Sequence, residues 1–272
     1  MRKIDEPPSG ISAAEVAANW DRNADLWAAE VRAGRDLYRE VYNNPAFLAF
    51  VGDLAGREVL DAGCGEGHNT RIFARRGARM IGADISTRMI ELAREEERRE
   101  PLGIRYHAAS YTAMPQFAAD SFDAVVSFMA LMDGPDFPAA MRELFRVMRP
   151  AAALCFSIIH PCFMTRGFGW IRDESGRETG YTGGEYFNDK PWIERWNFTK
   201  APGAADREPF SVPRFDRTLS EYINPVIGAG FKLEEIHEPR PSEAACRAHP
   251  WLVRWREHMP LFIYVRAAKP RG

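Results

Sequence analysis

The chain has 272 residues, of which 46% are hydrophobic, and this is enough to bury the core of one large domain with additions. Its 36 basic and 38 acidic residues give a net charge of −2, so it lacks the basic surface typical of proteins that bind nucleic acid. With no apolar run near the roughly 18 residues of a transmembrane helix, no signal-peptide core and no metal-ligand spacing of its cysteines, we expect a cytoplasmic protein without nucleic-acid, membrane or metal partners.

The N-terminal part is predicted to contain a tail followed by helices. Two prolines and a glycine disfavour a helix in residues 1–10, which we expect to be disordered. From Ser12 to Phe50 apolar residues recur at helical spacing, and Ser12 with Glu15 three residues later is a capping-box pattern. Residues 11–52 are therefore predicted to form a helical cap that precedes the first strand.

The most informative stretch is a short apolar strand, residues 57–61, that ends in Asp61 and is followed by alternate glycines. Gly63, Gly65 and Gly67 allow the backbone to turn tightly and to approach a ligand that a side chain would block. A second apolar strand ends at Asp84, 17 residues after Gly67, where a carboxylate can accept hydrogen bonds from both hydroxyls of a ribose. A turn would explain each glycine separately, but the loop and the acid together predict a nucleoside-type cofactor.

The spacing of the glycines distinguishes between cofactor classes. Dinucleotide sites require G-x-G-x-x-G, and starting that pattern at Gly63 puts His68 in place of the third glycine. The observed D-x-G-x-G-x-G, which begins at Asp61, resembles motif I of the class I S-adenosylmethionine-dependent methyltransferases, and Asp84 matches their ribose-binding acid. Over most of residues 45–160 the chain resembles the type-11 methyltransferase-domain family. The resemblance implies S-adenosylmethionine as cofactor and S-adenosylhomocysteine as product.

The resemblance also implies the fold, an α/β, doubly wound, Rossmann-like sheet of seven strands in the order 3-2-1-4-5-7-6, with the last strand antiparallel. Residues 53–160 then form the cofactor-binding core, and residues 211–272 complete the sheet. Trp20 of the cap is expected to fold over the cofactor, or alternatively to pack the cap on the sheet. The residues implied as cofactor ligands are Asp61, Gly63, Cys64, Gly65, Asp84, Ile85, Met89, Ser110, Tyr111 and Phe128.

Two of these assignments leave alternatives open. Met89 can lie near the adenine or belong to the core. Ser110 stands where many relatives have an aspartate that binds the adenine amine, and because serine is shorter and neutral, the contact can come instead from the backbone amide of Tyr111. Residues 121–128 resemble the fourth strand, which is expected to end beside the methyl group and so places Met129 near the acceptor.

A histidine follows the predicted fifth strand, residues 154–159. Ligands of doubly wound sheets bind at the carboxyl ends of the strands, so His160 is expected at the mouth of the active site. Its imidazole can act as a general base near neutral pH, or Pro161 and a backbone carbonyl can hold it in a structural role.

After His160 the regular alternation stops, and residues 161–210 are rich in glycine and aromatic residues. A structureless loop of that length is unusual in a compact domain unless it is functional. We predict a lid of turns and short strands that covers a planar or apolar acceptor; the alternatives are a minicore of the insertion or a homodimer contact. The residues predicted to bind the acceptor are Trp20, Met129, His160, Phe163, Tyr186 and Trp192.

The C-terminal part returns to regular structure. A helix is predicted from Leu219 to about Gly230, followed by a strand over residues 231–236. Residues 242–258 are predicted to form one basic helix, and residues 261–266 the final antiparallel strand.

The sequence thus predicts a methyltransferase acting on a small, aromatic or heterocyclic molecule. The enzyme would mainly place the acceptor in line with the methyl group and exclude water, with His160 as the candidate base. Two alternatives stay open, an NAD-type Rossmann oxidoreductase and a non-catalytic protein that binds S-adenosylmethionine or its product. The methylated atom, which can be oxygen, nitrogen, sulfur or carbon, is also left open.

Overall fold

The structure, a computed structural model, describes residues 3–5, 10–198 and 208–271. The strands in chain order are β1 (Lys3–Asp5), β2 (Glu58–Ala62), β3 (Arg79–Asp84), β4 (Arg105–Ala108), β5 (Phe122–Phe128), β6 (Met148–Ile159), β7 (Gly169–Arg172), β8 (Glu178–Thr182), β9 (Trp192–Trp196), β10 (Phe210–Arg214), β11 (Lys232–His237) and β12 (Phe262–Ala268). The α-helices are α1 (Ala13–Arg32), α2 (Asn44–Val51), α3 (His68–Arg75), α4 (Thr87–Arg99), α5 (Phe137–Val147), α6 (Leu219–Gly228), α7 (Glu243–Ala248) and α8 (Val253–Glu257).

A seven-stranded sheet with the order β11-β12-β6-β5-β2-β3-β4 forms the centre of the fold. β2 pairs in parallel with β3 and β5, whereas β12 is antiparallel to both β6 and β11. Numbered along the chain, these strands give 3-2-1-4-5-7-6 with the last strand antiparallel, so the predicted α/β, Rossmann-like topology is confirmed. The parallel strands β2, β3 and β5 end at one edge of the sheet, where such folds bind their ligands.

The buried side chains of adjacent residues along a strand belong to two separate hydrophobic cores. Val59 of β2 and Val126 of β5 belong to one core, while Leu60 and Val125 belong to the other. Successive side chains of a strand point to opposite faces, so the sheet lies between the two cores. Both faces of the central strands are covered, which explains why their sequences are almost continuously apolar.

The N-terminal helices cover one side of the ligand-binding edge. The side chain of Ser12 caps α1 and Glu15 completes the capping box, as the sequence predicts. A five-residue π-helix, Arg39–Asn43, leads from α1 into α2. α1 is joined to β10 by the Asn23 amide, which donates to the carbonyl of Ser211 at 2.8 Å.

The segment after β6 contains a hairpin, β7 with β8, and a small antiparallel sheet in the order β1-β9-β10. The prediction of a disordered tail is wrong for Lys3–Asp5, because this stretch pairs with β9 as a strand. The prolines that exclude a helix do not exclude a strand ahead of them, and β9 supplies the pairing edge. Residues 1, 2 and 6–9 of the predicted tail lie outside the described residues.

The C-terminal part differs from its prediction in one element. The single helix predicted over residues 242–258 is wrong, because the chain forms α7, a one-turn 3₁₀ helix at Pro250–Leu252, and α8. Pro250 restricts His249 to an extended conformation and has no amide hydrogen to continue the helix. Within the described residues, no helix is both long and apolar enough to cross a bilayer.

Candidate cofactor and acceptor site

A cavity of about 490 Å³ lies at the carboxyl ends of the parallel strands, between the sheet, the N-terminal helices and the β1-β9-β10 sheet. It is within the size range of small-molecule sites. Its floor includes the glycine loop and Asp84 of β3, and its walls include Trp20 of α1 and Trp196 of β9. The cavity is therefore enclosed by the core sheet on one side and by the two additions on the other.

The three glycines of the loop have different structural roles. All three have positive φ, which disfavours other residues. A Cβ at Gly63 would overlap the methyl group of Ala130, and one at Gly67 would meet the Tyr106 hydroxyl at 2.5 Å, so these two glycines permit close packing. At Gly65 nothing lies within 4 Å of the Cβ position, and this glycine lines the cavity. Gly65 is thus the glycine that leaves room for a ligand.

Two carboxyl groups lie at the strand ends without an ion-pair partner among the described residues. Asp84 accepts hydrogen bonds from the backbone amides of Gly65 and Ser86, both at 2.9 Å, and Asp61 accepts one from the Thr70 hydroxyl at 2.6 Å. Burial raises the pKa of Asp84 to about 6 and that of Asp61 to about 7. The charge of Asp84 further raises the pKa of Asp61. This half of the cavity favours a cation or a donor-rich ligand.

Further acceptors beside these carboxyl groups have no hydrogen-bond partner. Glu66 and Asn69 line the cavity and are buried, and their oxygens Oε1 and Oδ1 receive no hydrogen bond from the described residues. Unpaired buried acceptors are costly, so the pair indicates a ligand with N–H or O–H groups at this place.

A partly buried arginine of the π-helix lines the cavity. The Nε of Arg39 donates to Asp36 at 3.2 Å, and its guanidinium lies 5.3 Å from the ring centre of Phe128 and 5.7 Å from that of Trp27. Arg39 provides positive charge close to Asp61, which suits a ligand that carries an anionic group as well as a cationic one.

The rest of the cavity lining combines aromatic side chains with a buried ion-pair cluster. Met129, which follows β5, has a φ of 56°, an uncommon conformation for a non-glycine residue and one that is often found at functional sites. Close to it, Asp133 accepts a hydrogen bond from Arg214 at 3.1 Å, and Arg214 also donates to Glu194 at 2.6 Å. All four residues line the cavity.

A second cavity of about 50 Å³ adjoins the first. Five residues line both cavities and form the wall between them: Met132, Ile159, Met164, Glu194 and Arg214. The second cavity also contacts Asp216, whose carboxylate accepts hydrogen bonds from the Trp192 indole at 2.9 Å and from the Asn188 amide at 3.0 Å.

Most predicted site residues lie around these cavities. The predicted cofactor ligands line the large cavity, with the exception of Ser110, whose hydroxyl lies 2.7 Å from that of Thr112. Trp20 and Met129, predicted to bind the acceptor, also line it, while Tyr186 and Trp192 line the small cavity. Met89 lines the cavity and also packs in a core cluster with α1. Its position near the ligand site and its position in the core, given above as alternatives, are therefore compatible.

His160 and Phe163 line neither cavity. The imidazole of His160 is buried, its Nε2 lies 2.8 Å from a carboxylate oxygen of Glu238, and its Nδ1 accepts a bond from the Cys162 amide at 3.3 Å. Burial lowers its pKa, although the Glu238 carboxylate opposes this shift. The structure therefore brings the ring to the end of β6 but not to the cavity surface, and its catalytic role stays a prediction.

Sequence reasoning missed the charged residues that come from outside the glycine-loop unit. Arg39 lies on a π-helix, and Asp133, Glu194 and Arg214 come from three separate segments. No spacing rule connects these positions, because only the tertiary fold brings them together. The available signal in the sequence is the arginine and aspartate content of residues 211–217.

Comparison with known proteins is consistent with this geometry. A family model described as "Methyltransferase domain" matches residues 60–156, which include the glycine loop and Asp84. A solved structure, an S-adenosylmethionine dependent methyltransferase from Mesorhizobium loti, is similar with a TM-score of 0.67 and 27% identity, covering 82% of this chain and 96% of that chain.

Two curated relatives have names that state a reaction. The ubiquinone biosynthesis O-methyltransferase of Hahella chejuensis is 32% identical over 120 residues, which are 43% of this chain and 50% of the relative. The magnesium-protoporphyrin O-methyltransferase of Rhodobacter capsulatus is 33% identical over 144 residues, which are 52% of this chain and 60% of the relative. The chain thus matches between half and three fifths of the length of these two relatives.

Proposed function

We propose that this chain, a class I S-adenosylmethionine-dependent methyltransferase, transfers the methyl group to a small aromatic or heterocyclic molecule. The observation that carries the proposal is one cavity whose lining combines two kinds of side chain, which we assign to a cofactor half and an acceptor half. One half has the glycine loop and unpaired acceptors, and the other has the indoles of Trp20, Trp27 and Trp196. Such a cavity suits a polar nucleoside ligand beside a planar acceptor.

The residues of the polar half fit S-adenosylmethionine. Asp84 would accept the ribose hydroxyls, Glu66 and Asn69 would accept from the ammonium group, and Arg39 would bind the carboxylate. When bound, S-adenosylmethionine supplies a methyl carbon made electrophilic by its sulfonium sulfur. The buried carboxyl groups of Asp61 and Asp84 complement that positive charge.

The acceptor half supports a ring-shaped molecule. Trp27 lies at the centre of an aromatic cluster, with ring centres at 5.2 Å from Trp20, 5.8 Å from Trp196 and 5.3 Å from Phe198. These rings would exclude water and would favour a planar acceptor that packs against them. The two relatives named above as ubiquinone-biosynthesis and protoporphyrin O-methyltransferases support the same class of acceptor.

The sequence predicts a general-base role for His160, and this prediction has its own test. Since the ring does not line the cavity, it would have to reach the acceptor by leaving Glu238. We expect His160→Asn to lower kcat by about 10²-fold, with unchanged affinity for S-adenosylhomocysteine, if the ring is the base. A variant with full turnover would leave His160 as a structural residue.

Calorimetric titration tests the cofactor assignment. We expect the protein to bind S-adenosylmethionine and S-adenosylhomocysteine but not NAD, and Asp84→Asn to weaken both by more than about tenfold, since a charged hydrogen-bond acceptor is lost. Asp53→Asn is the matched control, because Asp53 is exposed and bonds only its own loop at Ala55. Binding of NAD instead would establish the oxidoreductase alternative.

Turnover separates the remaining alternative from the proposal. A protein that only binds the cofactor would show the same titrations without methylated product. We therefore follow conversion of labelled S-adenosylmethionine across a panel of phenols, amines, thiols and heterocycles. Product from any of these acceptors supports the methyltransferase, whereas binding without product across the panel points to a non-catalytic role.

A further inference from the structure

One carboxyl group in the acceptor half differs from those near the glycine loop. Asp133 lies on a 3₁₀ turn directly after β5, four residues beyond the strained Met129, and is only 6% exposed. Its Oδ1 accepts a hydrogen bond from Arg214, and no described residue donates to its Oδ2. Both residues line the large cavity, so the second carboxylate oxygen is available to a ligand.

Two further residues fix this carboxylate. Arg214 donates from Nη1 to Asp133 and from Nε to Glu194, so its guanidinium is held from two sides. Asp133, Arg214 and Glu194 belong to three different segments, and the side chains of all three are at most 13% exposed. A buried cluster with this geometry orients one carboxylate oxygen rather than adding to stability.

The charged and titratable groups around Asp133 come from every segment packed against it. Burial raises the pKa of Asp133 to about 7, and Glu194 acts in the same direction, whereas Arg214 and Arg217 oppose it. Tyr111 and Tyr222 also face it, and the charge of Asp133 raises the pKa of each. A carboxylate with these surroundings is partly ionised at neutral pH and can accept a proton.

We propose that Asp133 is the catalytic base of this enzyme, that Arg214 is its positioning residue, and that the acceptor carries a hydroxyl group on its aromatic ring. This inference rests on the proposed methyltransferase function and adds to it the acceptor class. A hydroxyl is the group that needs such a base, because its proton must leave as the oxygen attacks.

The proposed deprotonation of the acceptor and the methyl transfer need no reactant besides the acceptor and S-adenosylmethionine. The O–H bond of the acceptor breaks and its proton passes to Oδ2 of Asp133. The oxygen forms the new bond to the methyl carbon while the carbon–sulfur bond breaks and leaves its electron pair on sulfur. Asp133 later releases the proton to solvent, which returns the carboxylate to its starting state.

The first test measures the titration of Asp133 itself. In protein labelled with ¹³C at aspartate carboxyl groups and saturated with S-adenosylhomocysteine, the resonance of Asp133 is the one lost in Asp133→Asn. We expect its midpoint between about pH 6 and 8, a rise by about one unit in Arg214→Gln, and little change in Arg214→Lys. A midpoint below about pH 5 would overturn the proposal, because the group would then be too weak a base.

The second test uses turnover of named phenols: 4-methylphenol, catechol, 8-hydroxyquinoline and 4-nitrophenol. We expect Asp133→Asn to lower kcat for 4-methylphenol by about 10²-fold or more, and to affect 4-nitrophenol less, since this phenol ionises readily. Asp136→Asn is the matched control, because Asp136 is exposed, caps α5 through the Ala139 amide at 2.8 Å, and can be replaced by another capping residue.

The outcomes separate this inference from the proposed function. Full activity of Asp133→Asn on 4-methylphenol would overturn Asp133 as the base. If the wild-type protein methylates none of the phenols but methylates an amine or a thiol, the hydroxyl acceptor is wrong while the methyltransferase stands. Loss of S-adenosylhomocysteine binding in Asp133→Asn would also count against the inference, since the base is placed in the acceptor half.

Discussion

Acidic and basic side chains both line the part of the cavity near the glycine loop. Asp61 and Asp84 are held by a hydroxyl group and backbone amides, and no described basic residue forms an ion pair with either. Arg39 lies close to Asp61, with its guanidinium 5.7 Å from the ring centre of Trp27 and 5.3 Å from that of Phe128. A ligand with a cationic centre and a carboxylate would satisfy both kinds of side chain, which is the charge pattern of an amino-acid tail.

The pKa of Asp84 predicts a pH dependence of cofactor affinity. Burial raises this pKa to about 6, so the carboxyl group is ionised above that value and protonated below it. A protonated carboxyl group accepts ribose hydroxyls less well. We expect the affinity for S-adenosylhomocysteine, measured by calorimetry, to fall as the pH drops through about 6. Constant affinity down to about pH 5 would contradict this prediction.

Arg39 predicts a selective loss of affinity. Removing a charged hydrogen bond costs about 1.5–3 kcal/mol, so we expect Arg39→Ala to weaken S-adenosylhomocysteine binding by roughly 10- to 100-fold. Binding of 5′-methylthioadenosine, which has the nucleoside without the amino-acid tail, should be unchanged. Arg22→Ala on α1 is the control, since Arg22 does not line the cavity. Equal losses for both ligands would show that Arg39 supports the fold instead.

At the scale of elements, the glycine loop combines a packing role with a binding role. Gly63 and Gly67 allow Ala130 and Tyr106 to approach, whereas Gly65 leaves space in the cavity. The sequence pattern correctly placed the glycine loop after a strand and Asp84 at the end of the next strand, because both follow from local spacing, and the family resemblance gave the correct strand order. The pattern assigned the same ligand-facing role to each glycine, since the partners of a glycine become known only from tertiary packing.

Two substitutions in this loop should therefore differ in their effects. Both positions have positive φ, at 85° for Gly67 and 55° for Gly65, so alanine costs about 1 kcal/mol of strain at each. At Gly67 the added methyl group also overlaps the Tyr106 ring. We therefore expect Gly67→Ala to lower the melting temperature more than Gly65→Ala does. Gly65→Ala should instead weaken S-adenosylhomocysteine binding. Thermal unfolding and calorimetry of both variants check this contrast, and equal melting temperatures would contradict it.

The additions to the sheet were harder to predict than the sheet. The sequence indicated an aromatic-rich lid after His160, and the structure has short strands there, as the prediction of turns and short strands states. It did not indicate that β9 would pair with Lys3–Asp5, because strand pairing between distant segments leaves no local pattern. For the same reason Asp133, Glu194 and Arg214 could not be recognised as one cluster.

At the scale of the whole molecule, the burial of ionisable carboxyl groups in the cavity costs free energy. Favourable packing in the rest of the fold must offset this cost. Asp61 and Asp133 have folded-state pKa values of about 7, well above the ordinary value near 4. The folded state therefore binds these protons more tightly than the unfolded chain does. Their contribution to stability is complete below about pH 4 and is lost as the pH rises through about 7.

This linkage predicts the pH dependence of stability. We expect the melting temperature of the ligand-free protein to fall between about pH 6.5 and pH 8, and the fall to be smaller in Asp133→Asn. Burial lowers the pKa of His160, so this residue makes stability rise with pH. It opposes the fall in melting temperature only at pH values below the ordinary histidine pKa of about 6.5. Scanning calorimetry at several pH values checks this, and a melting temperature that rises over the range would contradict it.

The thin wall between the two cavities connects substrate range with reaction rate. Among the described residues, Glu194, Arg214 and three apolar residues line both cavities and lie between about 50 Å³ of space and the acceptor half. A shorter residue at position 214 would join the two spaces and admit a bulkier acceptor. The same change would release Asp133 from its orienting partner. An evolving descendant of this protein would therefore gain new acceptors at the expense of turnover, until another residue took over the positioning of Asp133.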